Sequence, residues 1–126
     1  MNPDAILHAP LAWQFSEVDL GGPWGWTSFV STHLVDLHDK LLDYEQDTLK
    51  VMKDQNRAKQ IKKEHLCLEA QARLRDRERD DSELWELRLG HKKWRVWGSI
   101  RGSSFFILWW DPDHTVCTAM PRGVRR

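Results

Sequence analysis

The hydrophobic pattern of the chain changes period near Ser82: apolar residues recur at steps of three and four before it and alternate after it. Val30, Leu34, Leu37, Leu41, Tyr44, Thr48 and Met52 follow the first rule, which marks one face of a long amphipathic helix. Thr27 precedes it as an N-cap whose hydroxyl can accept from a free N–H of the first turn. Asp36, Asp39, Asp43, Glu45 and Asp47 flank the stripe and belong in water, and Asp54-Gln55-Asn56 closes it. The spacing predicts a second helix over about 59–79, with Leu66, Ala70 and Leu74 four residues apart and Ile61 and Leu68 widening the stripe. Arg73, Arg75, Arg77 and Arg79 interleave with Asp76, Glu78 and Asp80, the pattern of an exposed, salt-bridged helix end.

Beyond Ser82 the pattern is that of strands. Trp85, Leu87 and Leu89 alternate with Glu86 and Arg88, and Gly90-His91-Lys92 makes a tight connection. Trp94, Val96, Gly98 and Ile100 then alternate with Arg95, Trp97 and Ser99, and Arg101-Gly102-Ser103 makes a second tight turn. Residues 104–110 are apolar on both faces, as in a central strand covered on both sides. Asp111-Pro112-Asp113 forces a turn or bulge, since proline cannot donate to a ladder. Residues 114–118 read as a last short strand. Near the other end, Trp13 and Phe15, with Val18 and Leu20 out of phase, predict a first strand. The loop Gly21-Gly22-Pro23-Trp24-Gly25-Trp26 lacks the Lys-Ser/Thr and glycine spacing of a phosphate-binding loop, so Trp24 and Trp26 are read as core packing.

The expected fold is α+β, in the order β-α-α-β-β-β, with two helices packed on an antiparallel sheet. Phe106, Leu108 and Trp110 should meet the helices at Leu34, Leu37 and Leu41. With 126 residues the expectation is one domain over 1–126, loosely structured over about 1–11 and ending in a basic tail over about 119–126.

Composition sharpens this picture in three ways. There are 8 tryptophans, and Trp85, Trp94, Trp97, Trp109 and Trp110 fall close together, so the sheet should be heavily aromatic. Net charge is +0, yet residues 1–54 hold three lysines against nine carboxylates, and the rest of the chain carries the compensating excess of arginine and lysine. A basic back half suits a polar partner such as nucleic acid; it equally suits a solvated helix and tail. Two cysteines make no disulfide framework, the first ten residues lack a positive leader pattern, and the longest apolar run, 105–110, is too short to span a bilayer. The expectation is a cytoplasmic protein without membrane association.

The last third is similar to the RelE/ParE family of bacterial toxins. The carriers are Leu84-Trp85-Glu86-Leu87-Arg88, Lys93-Trp94-Arg95-Val96-Trp97, and the apolar strand followed by Asp111-Pro112-Asp113-His114-Thr115-Val116-Cys117. The helix end Ala70-x-x-Arg73-Leu74 also fits, so the resemblance covers roughly residues 70–118. It implies a toxin-like ribonuclease that cleaves mRNA at the ribosome and is restrained by an antitoxin, of bacterial or phage origin. Arg95 then matches the arginine that contacts the scissile phosphate, Arg88 the arginine ending the first strand motif, and His114 falls in the polar stretch that keeps an acid–base residue. Cys117 stands where many members have a catalytic tyrosine. The ParE-like branch implies a different target, DNA gyrase.

The residues suit the chemistry. Internal attack of a 2′-OH on phosphate needs a base, cations for the phosphorane and an acid for the leaving oxygen. Arginine binds two phosphate oxygens and keeps its charge; histidine moves protons near neutral pH. The candidate catalytic residues are therefore Arg95, His114 and Arg88, with Arg101, Lys92, Lys93, Trp97 and Arg122 contacting RNA; alternation puts Trp97 beside Arg95, where it could stack on a base. Each has a structural alternative: Arg95 paired with Glu86 across the hairpin, Arg88 as a cross-strand partner, His114 satisfying a turn. His65-x-Cys67 and His114-x-x-Cys117 match no zinc knuckle, His33 and His38 point to different helix faces, and Asp111 and Asp113 suit local hydrogen bonds, so no metal or cofactor is expected. Two readings stand: a metal-independent ribonuclease, and a non-enzymatic binder of the same fold, directed at gyrase or another protein.

Overall fold

The computed structural model describes residues 9–90 and 93–117. Lys92, Arg122, the tail over 119–126 and positions 1–8 of the N-terminal segment lie outside the described residues. The elements are β1 (Ala12–Gln14), α1 (Leu34–Glu45), α2 (Leu49–Asp54), β2 (Ala58–Lys62), α3 (Leu68–Asp76), β3 (Glu83–Arg88), β4 (Arg95–Arg101) and β5 (Ser104–Asp111). The fold is α+β, with a five-stranded sheet in the order β1-β5-β4-β3-β2. The order of elements differs from the expected one in two places, and the sheet is mixed: β1 runs parallel to β5, the other pairs antiparallel.

Both differences have identifiable physical causes. The long first helix is interrupted. The chain from Trp26 to His33 forms two short 3₁₀ turns, and Thr27 donates its hydroxyl to the Leu20 carbonyl (2.7 Å) instead of capping. The helix then stops at Glu45, and Thr48, expected within it, takes extended backbone and caps α2 by accepting from the Val51 N–H. Asp and Thr compete with helical hydrogen bonding in this way. The second helix is shorter than its periodicity suggested because residues 58–62 are drawn into the sheet beside β3, from Ala58 opposite Leu87 to Lys62 opposite Glu83. Ala, Lys and Gln favour helix, but cross-strand pairing overrides propensity, and Lys59 and Lys62 suit an outermost strand. Among the described residues no strand follows β5: 112–117 forms turns and bends, and Thr118 lies outside the described residues.

Helices cover both faces of the sheet, in keeping with the apolar character of 104–110 on both sides. On the first face, Leu37 and Tyr44 of α1 and Leu49 and Met52 of α2 pack on Trp85, Leu87, Val96, Phe105, Ile107 and Trp110. On the second, Ala70 and Leu74 of α3 pack with Leu84, Trp97, Leu108, Trp109 and Trp24. The expected core set is therefore corrected. Trp110 does share the first face with Leu37 and Leu41, but Leu34 is exposed, Leu108 lies on the second face, and Phe106 sits under the Arg101 guanidinium, 3.7 Å from the ring centroid. A bulge causes the switch: Trp97 pairs with Trp109 but Gly98 with Ile107, so Leu108 is the extra residue. Gly98 is required there, since a Cβ would lie 2.2 Å from the Phe106 carbonyl oxygen. Trp110 is the aromatic hub of the first face, with Trp94 and Phe29 at 5.1 Å and Trp26 at 5.5 Å. Tyr44 fastens α1 to the sheet by its hydroxyl, which lies on the carbonyls of Arg57 and Arg88; burial pushes its pKa up.

The segment after β1 continues along the edge of β5. The Asp19 N–H donates to Leu108 O (3.0 Å) and the Trp110 N–H to Trp24 O (3.0 Å). This places the Asp19 carboxylate inside the second face, 0% exposed. Arg73 donates to it through both Nε (2.9 Å) and a terminal nitrogen (2.8 Å), Arg77 donates at 3.2 Å, and Trp109 Nε1 at 2.9 Å. Next to it, Glu17 accepts from Arg79 (3.0 Å) and Arg101. The arginines of the helix end are thus joined to a segment more than fifty residues earlier, not only to their helical neighbours. The glycine loop is shaped to this contact: Gly22 has φ 79°, and a Cβ there would lie 2.5 Å from Arg73 Nε. Burial raises the Asp19 pKa, but the hydrogen bonds from Arg73 and Trp109 and the charge of Arg77 outweigh it, holding the carboxyl below its usual range.

Asp19→Ala should destabilise the fold by about 3–5 kcal/mol in urea denaturation, because it leaves buried donors without their acceptor, whereas the exposed Arg75→Ala should change it by less than about 0.5 kcal/mol. Since the folded pKa values of Asp19 and Glu17 are depressed, their contribution is fully present above the unfolded carboxylate pKa of about 4 and is lost progressively as pH falls below it through the folded values. The urea midpoint should therefore drop between pH 7 and pH 3, and drop less in Asp19→Asn. Trp110→Ala and Trp109→Ala should each cost about 3–5 kcal/mol, read as a loss in melting temperature.

Candidate functional site

The candidate catalytic residues gather on the second face of the sheet, toward the end of β3 and the start of β4. Strand register sets their order. Lys59, Glu86, Trp97 and Trp109 stand across four adjacent strands in one row, and Arg88, Arg95 and Asp111 form the next. These polar side chains follow from the alternation of β3 and β4, whose other face carries Trp85, Leu87, Trp94 and Val96.

Glu86 is the centre of this cluster. It is buried, its Oε2 lies 3.0 Å from His114 Nε2, and Arg95 Nε lies 3.6 Å away, an ion pair beyond hydrogen-bonding range. Arg95 is buried as well, and one of its terminal nitrogens donates to Trp94 O (3.0 Å). Burial lowers the Arg95 pKa, opposed by the charge of Glu86. An arginine starts so high that it stays charged regardless. His114 takes its place from the turn after β5. Asp111, fully buried, accepts from the Thr115 N–H (2.8 Å), the Val116 N–H (3.1 Å) and Trp97 Nε1 (3.0 Å), and Trp24 Nε1 donates to the Thr115 hydroxyl (2.8 Å). Within that turn His114 adopts φ 58°, a left-handed backbone that costs a side-chain-bearing residue energy. Its side chain keeps 30% exposure.

Geometry therefore sorts the expected residues. Arg95 and His114 meet through Glu86, and Arg88, exposed, stands beside Arg95 by register. Lys93 is exposed just before β4. Arg101 sits at the opposite end of β4, roughly 20 Å along the strand at about 3.3 Å per residue, over Phe106 and paired with Glu17. Trp97 is buried beneath α3 and bonded to Asp111, so it is a core residue and not a stacking platform; the second helix layer covers the face that alternation left open. Cys117 is buried, donates to His65 O (3.2 Å), and has its pKa raised by burial and by Glu86, so it remains a thiol with no proton to move near neutral pH. Its segment meets the His65–Cys67 segment through the Cys67 N–H and Val116 O (2.8 Å). Among the described residues no three His, Cys, Asp or Glu side chains are placed to hold a metal ion, and no helix is long and apolar enough to cross a membrane.

Two acids escaped sequence reasoning. Glu86 was visible only as a possible partner of Arg95, since its contact with His114 spans 28 residues. Asp19 showed no signal except its position between Val18 and Leu20 and the four-residue spacing of Arg73 and Arg77. Comparison of the chain with protein-family models, curated proteins and solved structures found no match.

Glu86→Ala removes the main counter-charge of the buried Arg95 and should cost about 3 kcal/mol, at the low end for a broken buried pair because the charge of Asp111 also acts on Arg95. The double change Glu86→Leu with Arg95→Met should be less destabilising than Glu86→Ala in the same denaturation measurement, since it leaves no buried charge behind.

Proposed function

We propose that the protein is a metal-independent, toxin-like endoribonuclease acting on mRNA, with His114 as its proton-transfer group. The supporting observation is the hydrogen bond between Glu86 and His114 Nε2. A carboxylate on one ring nitrogen orients an imidazole and fixes its tautomer, leaving Nδ1 for the reaction. In this reading His114 takes the proton of the attacking 2′-OH or returns one to the departing 5′-oxygen, giving a 2′,3′-cyclic phosphate and a free 5′-hydroxyl. The exposed Arg88, with Lys93 near it, contacts the phosphate; Arg95, buried against Glu86, is a positioning residue for the Glu86–His114 pair. A ribosomal location, a restraining antitoxin and a cytoplasmic site of action belong to the same proposal, through the resemblance to RelE-type toxins.

One observation favours the second reading, a non-enzymatic binder directed at gyrase or another protein: Arg95 and Trp97 are both buried, which removes two of the groups expected to touch RNA.

The test exploits the left-handed backbone at His114. Glycine relieves that conformation, so His114→Gly should fold while lacking the imidazole, whereas His114→Ala keeps the backbone cost. Cleavage of a labelled mRNA with excess EDTA present should persist in the wild type and fall by about two to three orders of magnitude in His114→Gly and in Arg88→Ala. RNA left whole by the wild type, with growth arrest and blocked supercoiling on expression, would establish the gyrase-directed reading instead.

A further inference from the structure

On the opposite side of the sheet, α1 leaves several large apolar side chains in solvent. Its core stripe, with Leu37 and Tyr44, packs on the first face of the sheet. A second stripe beside it stays in solvent: Val35 is 69% exposed and Leu42, seven residues on and two helical turns away, is 41% exposed. Across from them Phe15, just past β1, is 66% exposed. Between Phe15 and α1 lies a hollow of about 420 Å³, whose walls include Trp13, Leu41, Leu42 and Glu45. A second hollow of about 210 Å³, bounded by Val18, Trp26 and Leu37, adjoins it, since Phe15 and Leu41 line both. The two neighbouring hollows give a grooved apolar surface between the outermost strand and a helix. Grooves and patches of this kind mark interaction surfaces on a folded domain.

Charge defines the occupant. α1 carries Asp36, Asp39, Asp43 and Glu45 against a single lysine, Lys40. Lys40 lies toward the β3–β4 turn, where a Cβ on Gly90 would be 3.0 Å from its Cε. Glu45 lines the groove itself, and Asp39, 63% exposed at its side chain, is bonded to His38, another lining residue. The rim is therefore acidic around an apolar floor. A lipid surface rich in anionic headgroups would be repelled, and so would RNA. A polypeptide segment with apolar residues on one side and Lys or Arg on the other fits both the floor and the rim.

We propose that this groove docks an amphipathic basic segment of a partner protein, independently of the polar cluster on the other face. Complementary charge sets orientation and speeds encounter, and Phe15, Leu41 and Leu42 supply the apolar contact. The site is separate from Glu86 and His114, so it stands whether or not the chain cleaves RNA.

The test uses the full chain and two fluorescein-labelled helical peptides of about 18 residues, a length that can hold a helix on docking. Both carry the same leucine stripe; one has lysine and arginine on its other face, the other glutamate. By fluorescence anisotropy the basic peptide should bind and the acidic one bind at least about tenfold more weakly. Phe15→Ser with Leu42→Ser should weaken the basic peptide by about tenfold or more, while Leu68→Ser, exposed on α3 of the other face, should leave it unchanged. Asp39→Lys with Glu45→Lys should invert the preference between the peptides. All five positions are exposed, and an unchanged far-ultraviolet circular dichroism spectrum will show that the variants fold. Equal binding of the two peptides, or binding that ignores Phe15 and Leu42, would overturn the proposal. So would a concentration-dependent dimer in light scattering that Phe15→Ser with Leu42→Ser abolishes and the basic peptide fails to displace, since the occupant would then be a second copy of the chain.

Discussion

The buried carboxylate of Asp19 is the interaction on which the rest of the fold depends. An ionised group removed from water is tolerated only with full compensation, and here Arg73, Arg77 and Trp109 provide it. Three parts of the chain that are far apart in sequence must arrive together for this to work. The segment after β1 has to run along β5, α3 has to lie over the second face, and the bulge at Leu108 has to turn Trp109 toward that face. Each of these features makes little sense alone. The glycine loop closes over the Arg73 guanidinium, and Glu17 binds Arg79 and Arg101 beside it, so one ionic seam joins the N-terminal segment, the helix end and the hairpin.

A second buried aspartate repeats the device. Trp97 and Trp109 are cross-strand partners on β4 and β5, and each donates its indole N–H to a different buried acid, Asp111 and Asp19. Tryptophan brings large apolar area together with a donor that needs an acceptor when buried. The two acids also organise opposite ends of the chain: Asp19 orders the entry to the glycine loop, and Asp111 holds the turn that carries His114. The tryptophan content of the sheet is thereby coupled to its polar interior.

This coupling shapes the polar cluster on the second face. Glu86 shares its row with Trp97 and Trp109, and α3 and the 112–117 turn cover much of that face, so Arg95 is sealed against Glu86 while His114 reaches water at the margin. What remains accessible is an imidazole held by a carboxylate, and the exposed Arg88, which stands opposite Arg95 in the next row. The first face has the reverse character: α1 and α2 close over an aromatic core, and the apolar excess of α1 is left at the edge near Phe15, under an acidic rim. The charge asymmetry of the chain thus becomes an acidic, apolar groove on one face and a cationic margin on the other.

The amino-acid sequence by itself determined the α+β class, the period change near Ser82, three strands of the second half and the turn at Arg101-Gly102-Ser103, because alternation and turn chemistry are local. It also offered the pairing of Arg95 with Glu86 as the alternative to a catalytic Arg95, and local hydrogen bonds as the role of Asp111 beside Pro112. Only the tertiary structure decided the rest. Residues 59–62 read as helix and joined an outer strand because β3 offered a partner. Thr48 read as mid-helix and became a cap because Asp47 and Thr48 could satisfy the backbone outside it. Trp97 and Leu108 were placed by a cover of helix and a one-residue bulge that no period reveals. Asp19 meets its arginines across more than fifty residues and Glu86 meets His114 across 28. Such contacts carry no local signal, since the free energy that holds them exists only once water has been excluded by the whole fold.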